Sequence, residues 1–350
     1  MDSLATATPD LPDIPVVDCG RGGPPVLLAA ERGRAEALLA SGRGAYPDPV
    51  VRLFDRVSAR WLARSGTPYL DEIQGFAETL GEPGVVFLNA SYEWSCTSGV
   101  APAPDGGGNR LIRVLDWPVD GLGHHLVAAR HETPAGPWID LTWPGFAGTV
   151  HGLAPGRFAA ALHQAPMTRP VGVPVLDWAV NRWRLWRRPA SPPAHLLRRV
   201  FETCAGFAEA RRMLSETPVA LPAIFLLSGP RQEEGCVIER TEDRAAIIES
   251  PATAANHWQA TPRRGHARGE DSAARARLLA ACQASAGDDL AWLVPPLLNE
   301  TTRAVLLAEA ATGRLAVRGY EADGPATRTL RLGAAAEAPA KALTGGAAPL

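Results

Sequence analysis

The chain has 350 residues, of which 46% are apolar and 21% charged, and its formal net charge is −2. This balance is typical of a soluble globular protein. The near-neutral charge argues against nucleic-acid binding, which requires a basic face. All basic residues except Lys341 are arginine and alanine is abundant, so we attribute this bias to a GC-rich bacterial coding sequence.

The cysteines do not suggest a zinc or redox site. Their number is odd, their spacing is wide and no two form a C-x-x-C pair; they are Cys19, Cys96, Cys204, Cys236 and Cys282. The first residues, MDSLATATPDLPDIP, have no basic residue and no apolar core, so no secretory signal is expected. No run reaches the roughly 18 apolar residues of a membrane span. We therefore expect a cytoplasmic protein in a reducing compartment, without stable membrane insertion.

The first part of the chain is predicted to be helical. Residues 1–24, rich in Pro, Gly and Asp, are expected to form an extended lead-in. From Val26 to about Leu80, apolar residues recur at helical spacing, with prolines between the periodic stretches. After Gly84 the pattern changes to short apolar or alternating runs between turn sequences, beginning with VVFLNA and ending with RFAAALHQ. Such closely spaced turns predict hairpins in an antiparallel sheet.

Helical and strand-like patterns alternate in the second half. Helical periodicity covers Val175 to about Leu214 and is followed by the strand-like runs AIFLLSG, GCVIERTED and AAIIES. DSAARARLLAACQA predicts a further helix, with Asp271 or Ser272 as N-cap. A last hairpin turns at Thr312-Gly313, and the Ala/Gly/Pro-rich tail 334–350 is expected to be disordered. This order of elements predicts an α+β layered protein.

One predicted helix combines aromatic and basic residues, namely Trp178, Trp183 and Trp186 with Arg182, Arg184, Arg187 and Arg188. An interfacial helix close to a lipid-like acyl chain would have this composition. An aromatic stripe that faces the core, with arginines on the solvent face, would have it too, and we favour that interpretation.

The stretch LNASYEWSCTSGVAPAPDGGGNRLIRVLDWP contains the candidate chemistry. Cys96 begins an apolar strand, a glycine-rich turn follows, and a hairpin brings Arg113 and Asp116 back beside it. A cysteine that attacks an amide needs a lowered pKa or an adjacent base. Arg113 would stabilise a thiolate and Asp116 an ammonium group. If the backbone were cut between Ser95 and Cys96, the new α-amino group, with a pKa near 8, would be that base.

These residues resemble the cysteine N-terminal-nucleophile (Ntn) amide hydrolases. The branch in question contains acid ceramidase, N-acylethanolamine acid amidase and the penicillin acyltransferases (peptidase C45-like), with choloylglycine hydrolase and penicillin V acylase as more distant relatives. The family's Cys-Thr-Ser start matches Cys96-Thr97-Ser98, and its Arg-x-x-Asp matches Arg113 and Asp116. The resemblance implies that Cys96 is the nucleophile, that Arg113 polarises its surroundings and that Asp116 binds the new α-amino group.

Later blocks extend the resemblance. The glycine-rich hairpin GFAGTVHGLAPGRFAAALHQ ends at Gln164, where relatives have Asn or Glu, and ANHW places the oxyanion-hole asparagine at Asn256. A neutral amide N–H suits a developing oxyanion. Thr97 and Gln164 are candidate substrate or oxyanion contacts. A late catalytic arginine is expected at Arg275, with Arg277 as the alternative register.

The family's fold is a four-layer αββα sandwich with two stacked antiparallel sheets. It implies three parts here: a helical segment 1–95 (propeptide or α chain), a catalytic domain 96–333 and the tail 334–350. The expected activity is hydrolysis of a linear amide in a small N-acyl substrate after autoproteolysis before Cys96. An acyltransferase with the same acyl-enzyme, or an uncleaved protein that only binds acyl ligands, remains an alternative.

No cofactor or metal is expected. His124, His125, His131 and His151 lie near Cys96 in sequence but lack the spacing of metal ligands on one helix. The expected partner is the small N-acyl amide, nucleic acid is not expected, and self-association is left open.

Overall fold

The computed structural model describes residues 11–44, 46–91 and 94–333. The tail predicted to be disordered, 334–350, and the first ten residues of the predicted lead-in lie outside this range.

The segment before Cys96 is helical, as predicted, apart from one strand. It contains β1 (Val16–Gly20), α1 (Pro24–Ala30), α2 (Arg32–Arg43), α3 (Asp48–Ser65), α4 (Leu70–Leu80) and α5 (Val85–Asn89). Helices α3 and α4 each end at a glycine with left-handed backbone, Gly66 (φ 68°) and Gly81 (φ 72°). Glycine adopts this conformation without steric cost, which is why it stops helices at this position.

The prediction of a strand at VVFLNA was wrong, because the run forms helix α5. A short apolar run cannot be assigned to helix or strand from periodicity alone. The helix is selected by tertiary contacts: the Asp55 carboxylate accepts hydrogen bonds from the backbone N–H groups of Gly84 (2.6 Å) and Phe87 (2.9 Å). A carboxylate at a helix N-terminus satisfies free amides and interacts favourably with the helix dipole.

The remaining elements begin with the strands β2 (Ser95–Pro102), β3 (Asn109–Asp116), β4 (Val127–Thr133), β5 (Gly136–Thr142), β6 (His151–Ala154), β7 (Phe158–Gln164) and β8 (Met167–Thr168). The helices α6 (Pro174–Arg187), α7 (Pro193–Thr203) and α8 (Phe207–Glu216) follow. The chain continues with β9 (Ala223–Ser228), β10 (Gly235–Arg240), β11 (Ala245–Glu249), β12 (Ala252–Ala254), β13 (Gly265–His266), α9 (Ser272–Cys282), β14 (Thr302–Glu309), β15 (Arg314–Glu321), β16 (Gly324–Pro325) and β17 (Leu330–Leu332).

Within the described residues the strands form two large sheets and a small ribbon. The first sheet has the order β1-β4-β5-β6-β7-β9-β10-β11. The second has the order β12-β2-β3-β14-β15-β16, with β17 also paired to β15, and β8 pairs with β13. The pairs are antiparallel as predicted, except that β1 runs parallel to β4. The segment predicted as a plain lead-in therefore contributes an edge strand.

The layers are those of the predicted αββα sandwich, which is confirmed. Strands β2 and β3 of the second sheet pack on β7 and β9 of the first, with α7 and α8 outside the first sheet and α9 outside the second. Small and branched apolar residues fill the space between the sheets, including Ala159, Ala161, Leu226 and Leu115. Packing of two sheets face to face places alternate residues of each strand in this central layer.

Buried polar contacts, in addition to strand β1, connect the segment before Cys96 to the part of the chain that follows it. Arg198 on α7 forms an ion pair with Glu72 on α4, bonds Glu202 (2.7 Å), and donates to the Ala147 carbonyl (2.8 Å). The Tyr69 hydroxyl donates to Glu202 as well (2.6 Å). Because the Arg198 side chain is 8% exposed and that of Glu72 18%, removing the arginine would leave the Glu72 carboxylate without its ion-pair partner in a partly buried place.

Helix α6 corrects our interpretation of the tryptophan–arginine stretch. Trp178 and Trp183 are 53% and 55% exposed, so they do not form a stripe that faces the core; only Trp186 packs partly against it. The helix is instead held at its first turn by the buried Asp177, which accepts from the backbone N–H groups of Val171 (2.7 Å) and Gly172 (3.1 Å). Amphipathic periodicity identifies two faces of a helix but does not say which one the rest of the chain covers.

Candidate active site

Cys96 is the second residue of β2, at the centre of the sandwich. Its thiol points into the layer between the sheets and is fully buried. Arg113 on β3 donates from Nη2 to Sγ (3.1 Å) and from Nη1 to the Leu162 carbonyl on β7 (2.9 Å). Strand register explains this contact: Ser98 pairs with Arg113 and Cys96 with Leu115, so all four side chains share one face.

Burial and Arg113 act in opposite directions on the thiol. Burial raises the pKa of Cys96 to about 12, while the nearby Arg113 lowers it and the Asp116 carboxylate raises it. Burial also lowers the pKa of the Arg113 guanidinium. In the uncut chain the thiol is therefore neutral, and a neutral thiol is a poor nucleophile.

Asp116 and Arg275 lie on the opposite face of the same strands, toward α9. Arg275 donates from Nη1 to the Asp116 carboxylate (3.1 Å), to the Thr97 hydroxyl (2.8 Å) and to the carbonyl of Cys96 itself (3.1 Å). Asp116 also accepts from Thr302 on β14 (2.9 Å). Burial raises the pKa of Asp116, and Arg275 opposes the shift. Arg277 is exposed on the other side of α9, so of the two registers Arg275 is the one that reaches Cys96.

Asn256 holds the backbone nitrogen of Cys96. Its Oδ1 accepts from the Cys96 N–H (2.7 Å), and its Nδ2 donates to the Gln164 carbonyl (2.8 Å). The asparagine itself is fixed by a bond from its backbone N–H to the Ser272 hydroxyl (2.8 Å). The structure thus brings Asn256 to Cys96 as expected, but in the uncut chain its amide binds the nitrogen of Cys96 and a backbone carbonyl.

Gln164, the candidate contact at the end of the glycine-rich hairpin, ends β7. It is 4% exposed, and its Oε1 has no hydrogen-bond partner among the described residues. The residue also lines a cavity of about 650 Å³ that opens to solvent beneath α6. A buried amide oxygen without a partner is costly in a native protein and is therefore a candidate ligand contact.

Sequence reasoning missed a polar contact two residues beyond Cys96. The Ser98 hydroxyl and His163 Nε2 are 2.6 Å apart, and His163 Nδ1 lies 3.4 Å from the Ala255 carbonyl, next to Asn256. Burial lowers the pKa of His163 well below its usual value, so the ring is neutral. The alternation of a strand places Ser98 on the Cys96 face, which the sequence could have indicated. Nothing local indicates that His163 lies opposite.

The histidines near Cys96 in sequence are scattered. His124 is exposed, His131 stacks on Trp138, and His151 is fully buried with no partner for either ring nitrogen in the part of the chain that the structure describes. Burial lowers the pKa of His151 well below its usual value. Within those residues no group of three or more His, Cys, Asp or Glu side chains is arranged to hold a metal ion.

The loop that contains Gly269 approaches Ser95, the residue before the expected cut, closely. A Cβ atom added at Gly269 (φ +67°) would lie 2.7 Å from Ser95 Oγ, 2.8 Å from Ser95 Cβ and 2.9 Å from Arg275 Nη2. Gly269 is therefore a glycine for two reasons, its left-handed backbone and the approach of Ser95.

The structure combines an αββα sandwich with a buried cysteine at the head of an inner strand. The thiol of this cysteine lies beside an arginine, and its backbone nitrogen is hydrogen-bonded to an asparagine. The Ntn resemblance likewise implies Arg113 and Asn256 beside Cys96, but it assigns the Cys96 nitrogen to Asp116, whereas in the structure Asn256 Oδ1 accepts from that nitrogen. Sequence comparison confirms the resemblance to acid ceramidases, while no family model matches the chain. The chain is 27% identical to acid ceramidase of Heterocephalus glaber over 214 residues, 55% of this chain and 52% of that protein.

Two further relatives agree. Acid ceramidase of Bos taurus is 24% identical over 247 residues (64% of this chain, 58% of that protein), and the Homo sapiens enzyme 29% over 213 residues (55% and 52%). The chain thus spans about half the length of the curated relatives it matches, 52% in the first case.

Solved structures of three amidases superpose on parts of the chain. An N-acylethanolamine-hydrolyzing acid amidase ortholog of Caenorhabditis elegans covers 68% of this chain and 100% of its own, at 18% identity and a TM-score of 0.49. A conjugated bile acid hydrolase of Clostridium perfringens covers 68% and 92%, at 8% identity and a TM-score of 0.39. Penicillin V acylase of Agrobacterium tumefaciens covers 64% and 83%, at 12% identity and a TM-score of 0.37.

Among the residues described, no helix is both long and apolar enough to span a bilayer.

Proposed function

We propose that the chain is a cysteine amidase that hydrolyses linear amides of N-acyl substrates and is activated by its own cleavage between Ser95 and Cys96. The observation that carries the proposal is the anchoring of Cys96 at three points. Arg113 contacts its thiol, Asn256 its nitrogen and Arg275 its carbonyl. The similarity to acid ceramidases supports the same reading.

Cleavage is supported by the need for a base. Among the described residues, the hydrogen-bond partners of Sγ are the Arg113 guanidinium and the Leu162 carbonyl. Neither group is a base that can remove the proton from the thiol. An α-amino group on Cys96 itself would titrate near pH 8 and could accept it. That amino group exists only after the peptide bond to Ser95 is broken.

In the cleavage step, Sγ attacks the carbonyl carbon of Ser95. The carbon–nitrogen bond to Cys96 breaks, and the thiol proton passes to the departing nitrogen. Water then hydrolyses the thioester, which leaves a carboxylate on Ser95 and a free thiol and amine on Cys96. Asn256 Oδ1 already accepts from this nitrogen and would go on accepting from the amine.

In the catalytic cycle, the α-amine takes the thiol proton and Sγ attacks the substrate amide. The developing oxyanion is stabilised by N–H donors, for which Asn256 and the Gln164 side chain are our candidates. The α-ammonium protonates the leaving amine, which departs. Water, deprotonated by the α-amine, then releases the carboxylic acid from Cys96. Arg113 stabilises the thiolate, and Asp116 with Arg275 maintains the charge balance on the other face of β2.

Intact-mass measurement tests the cleavage. Purified protein should give fragments 1–95 and 96–350 that elute together, and the new Cys96 should react with iodoacetamide. Cys96→Ala should remain one chain, whereas Cys282→Ala, a half-buried thiol outside the site, should be cut like the parent. A wild-type chain that stays whole, with Cys96 unlabelled, would indicate a protein that binds acyl ligands without catalysis.

A panel of N-acyl amides tests the activity on matured protein. Release of amine and acid in equal amounts supports hydrolysis. Transfer of the acyl group to an added amine uses the same acyl-enzyme, and its product in the presence of a competing amine would identify an acyltransferase. The cytoplasmic compartment and the bacterial origin expected from the sequence remain predictions.

A further inference from the structure

The cavity beneath α6 combines aromatic and cationic side chains next to the Cys96 site. Its volume is about 650 Å³. One wall is α6, with Trp178, Trp183, Arg182 and Arg187, and the floor includes Gln164. A concave site with aromatic walls and a few polar groups is typical of small-molecule binding.

Two hydrogen bonds through Asn256 connect Gln164, on the floor of the cavity, to Cys96. The Gln164 carbonyl accepts from Asn256 Nδ2 (2.8 Å), and Asn256 Oδ1 accepts from the Cys96 nitrogen (2.7 Å). The Gln164 side chain, 4% exposed, has an amide oxygen without a partner among the described residues. This buried and unsatisfied group provides evidence of a ligand that is independent of the arginines.

The positive charge of the cavity exceeds its negative charge. Its two acidic residues are already paired, Glu242 with Arg263 (2.7 Å) and Asp243 with Arg188. Arg182, Arg184 and Arg187 form no ion pair with another described residue. Three lining guanidinium groups therefore lack a carboxylate partner within the part of the chain that the structure describes.

Stacking keeps two of these guanidinium groups ready for a ligand. Arg182 Cζ lies 5.4 Å from the Trp178 ring centroid, and Arg187 Cζ lies 4.2 Å from that of Trp183. A guanidinium held over a ring by its face keeps its N–H edge free, and that edge matches a carboxylate with two parallel hydrogen bonds. The ring also limits the side-chain freedom that would be lost on binding.

The part of the substrate that enters this cavity must be able to leave. After acyl transfer the acyl group stays on Cys96 while the amine departs, and the exposed Trp178 and Trp183 show that this cavity opens to solvent. We propose that the cavity binds the amine half of the substrate and that this half carries a carboxylate, so that the substrate is an N-acyl amino acid. This inference rests on the proposed amidase function and specifies its substrate class.

Ligand binding by the Cys96→Ala protein, which can hydrolyse neither ligand, tests the inference. N-decanoylglycine and N-decanoylethanolamine share the acyl chain and differ in the carboxylate. Calorimetry and quenching of tryptophan fluorescence measure the Kd of each. We expect N-decanoylglycine to bind at least about tenfold more tightly. Raising the salt concentration to about 0.5 M should weaken that preference, because the arginines are partly solvated.

The double variant Arg182→Gln/Arg187→Gln, made on the same background, should lose the preference and leave the Kd of the ethanolamide within about twofold. Arg199→Gln is the matched control, since Arg199 is exposed on α7 and does not line the cavity. Equal affinity for the two ligands, or a preference that survives the double variant, overturns the inference. The inference is also overturned if the protein binds phosphatidylglycerol vesicles and shows no preference between the two ligands. That result would identify α6 as a lipid-binding helix.

Turnover by matured wild-type protein separates this inference from the proposed function. A preference in binding without hydrolysis of any compound of the N-acyl amide panel refutes the amidase and leaves the carboxylate site standing. Hydrolysis of both compounds with equal kcat/KM supports the amidase and refutes the carboxylate site.

Discussion

The Arg113 side chain should lower the stability of the protein while it serves the chemistry. The guanidinium is fully buried, but its hydrogen-bond partners among the described residues are a neutral thiol and one backbone carbonyl, and its Nε has none there. Removing an ion from water costs several kcal/mol even after the protein relaxes. The single strong hydrogen bond to the Leu162 carbonyl offsets about 1–3 kcal/mol of this.

We therefore expect Arg113→Met to leave the free energy of unfolding unchanged or to raise it by up to about 2 kcal/mol, the difference between these two effects. The same variant should lose self-cleavage, because the charge of Arg113 no longer opposes the effect of burial on the thiol pKa. Urea unfolding at pH 7 measures the stability, and intact mass against time measures the cleavage.

Arg110 is the matched control on the same strand. It too is buried, but it faces α9 and donates to two carbonyls, those of Ala286 (2.8 Å) and Gln283 (2.6 Å). Arg110→Met leaves both unsatisfied and should cost about 2 kcal/mol or more, with cleavage intact. If Arg113→Met lost as much stability as Arg110→Met and was still cut at the wild-type rate, the reasoning would be refuted.

Three further predictions concern the cut, the fragments and pH. Gly269→Ala should block self-cleavage, because the added Cβ would collide with Ser95. The control Gly156→Ala has a similar φ of +72° and open space around it, so it should show only the backbone cost of about 1–2 kcal/mol in stability. Cleavage of both variants at the same rate would contradict this. Arg198→Met should lose about 3–5 kcal/mol in urea unfolding and let the cut fragments separate on gel filtration; fragments that stay together would contradict it. Burial lowers the pKa of His151 in the folded protein, so as the pH falls the unfolded chain takes up this proton at a higher pH than the folded one. The free energy of unfolding therefore decreases as the pH drops below 6.5. His151→Phe should reduce the loss of stability between pH 7 and 5.5 by about 1.4 kcal/mol, which urea titrations at both pH values measure; an unchanged loss would refute the assignment.

The sequence was sufficient for the parts of the fold that depend on local patterns. The hairpin of β2 and β3 is one example, since alternating residues and a glycine-rich turn fix its register, and with it the approach of Arg113 to Cys96. Helices α3 and α4 are another, because an apolar stripe ends at a glycine in each. In these cases every determinant lies within about 20 residues of the feature.

Other features depended on contacts that no local pattern encodes. Helix α5 was misassigned because Asp55, far back in the chain, caps it. The outward face of α6 was misassigned because burial depends on what the rest of the chain covers. Asn256 and Arg275 were assigned to the candidate site only through the family resemblance, since they meet Cys96 from the loop after β12 and from α9, more than a hundred residues away. The contact of His163 with Ser98 was missed, because neither the resemblance nor the periodicity gave His163 a role.

The anchors of Cys96 also explain how a cut could activate the site without rearranging it. Arg113, Asn256 and Arg275 bind the thiol, nitrogen and carbonyl of Cys96, and all three follow the proposed cut in the chain. Breaking the bond to Ser95 therefore releases only what precedes the nucleophile. The new amine would stay on Asn256 and the thiol on Arg113.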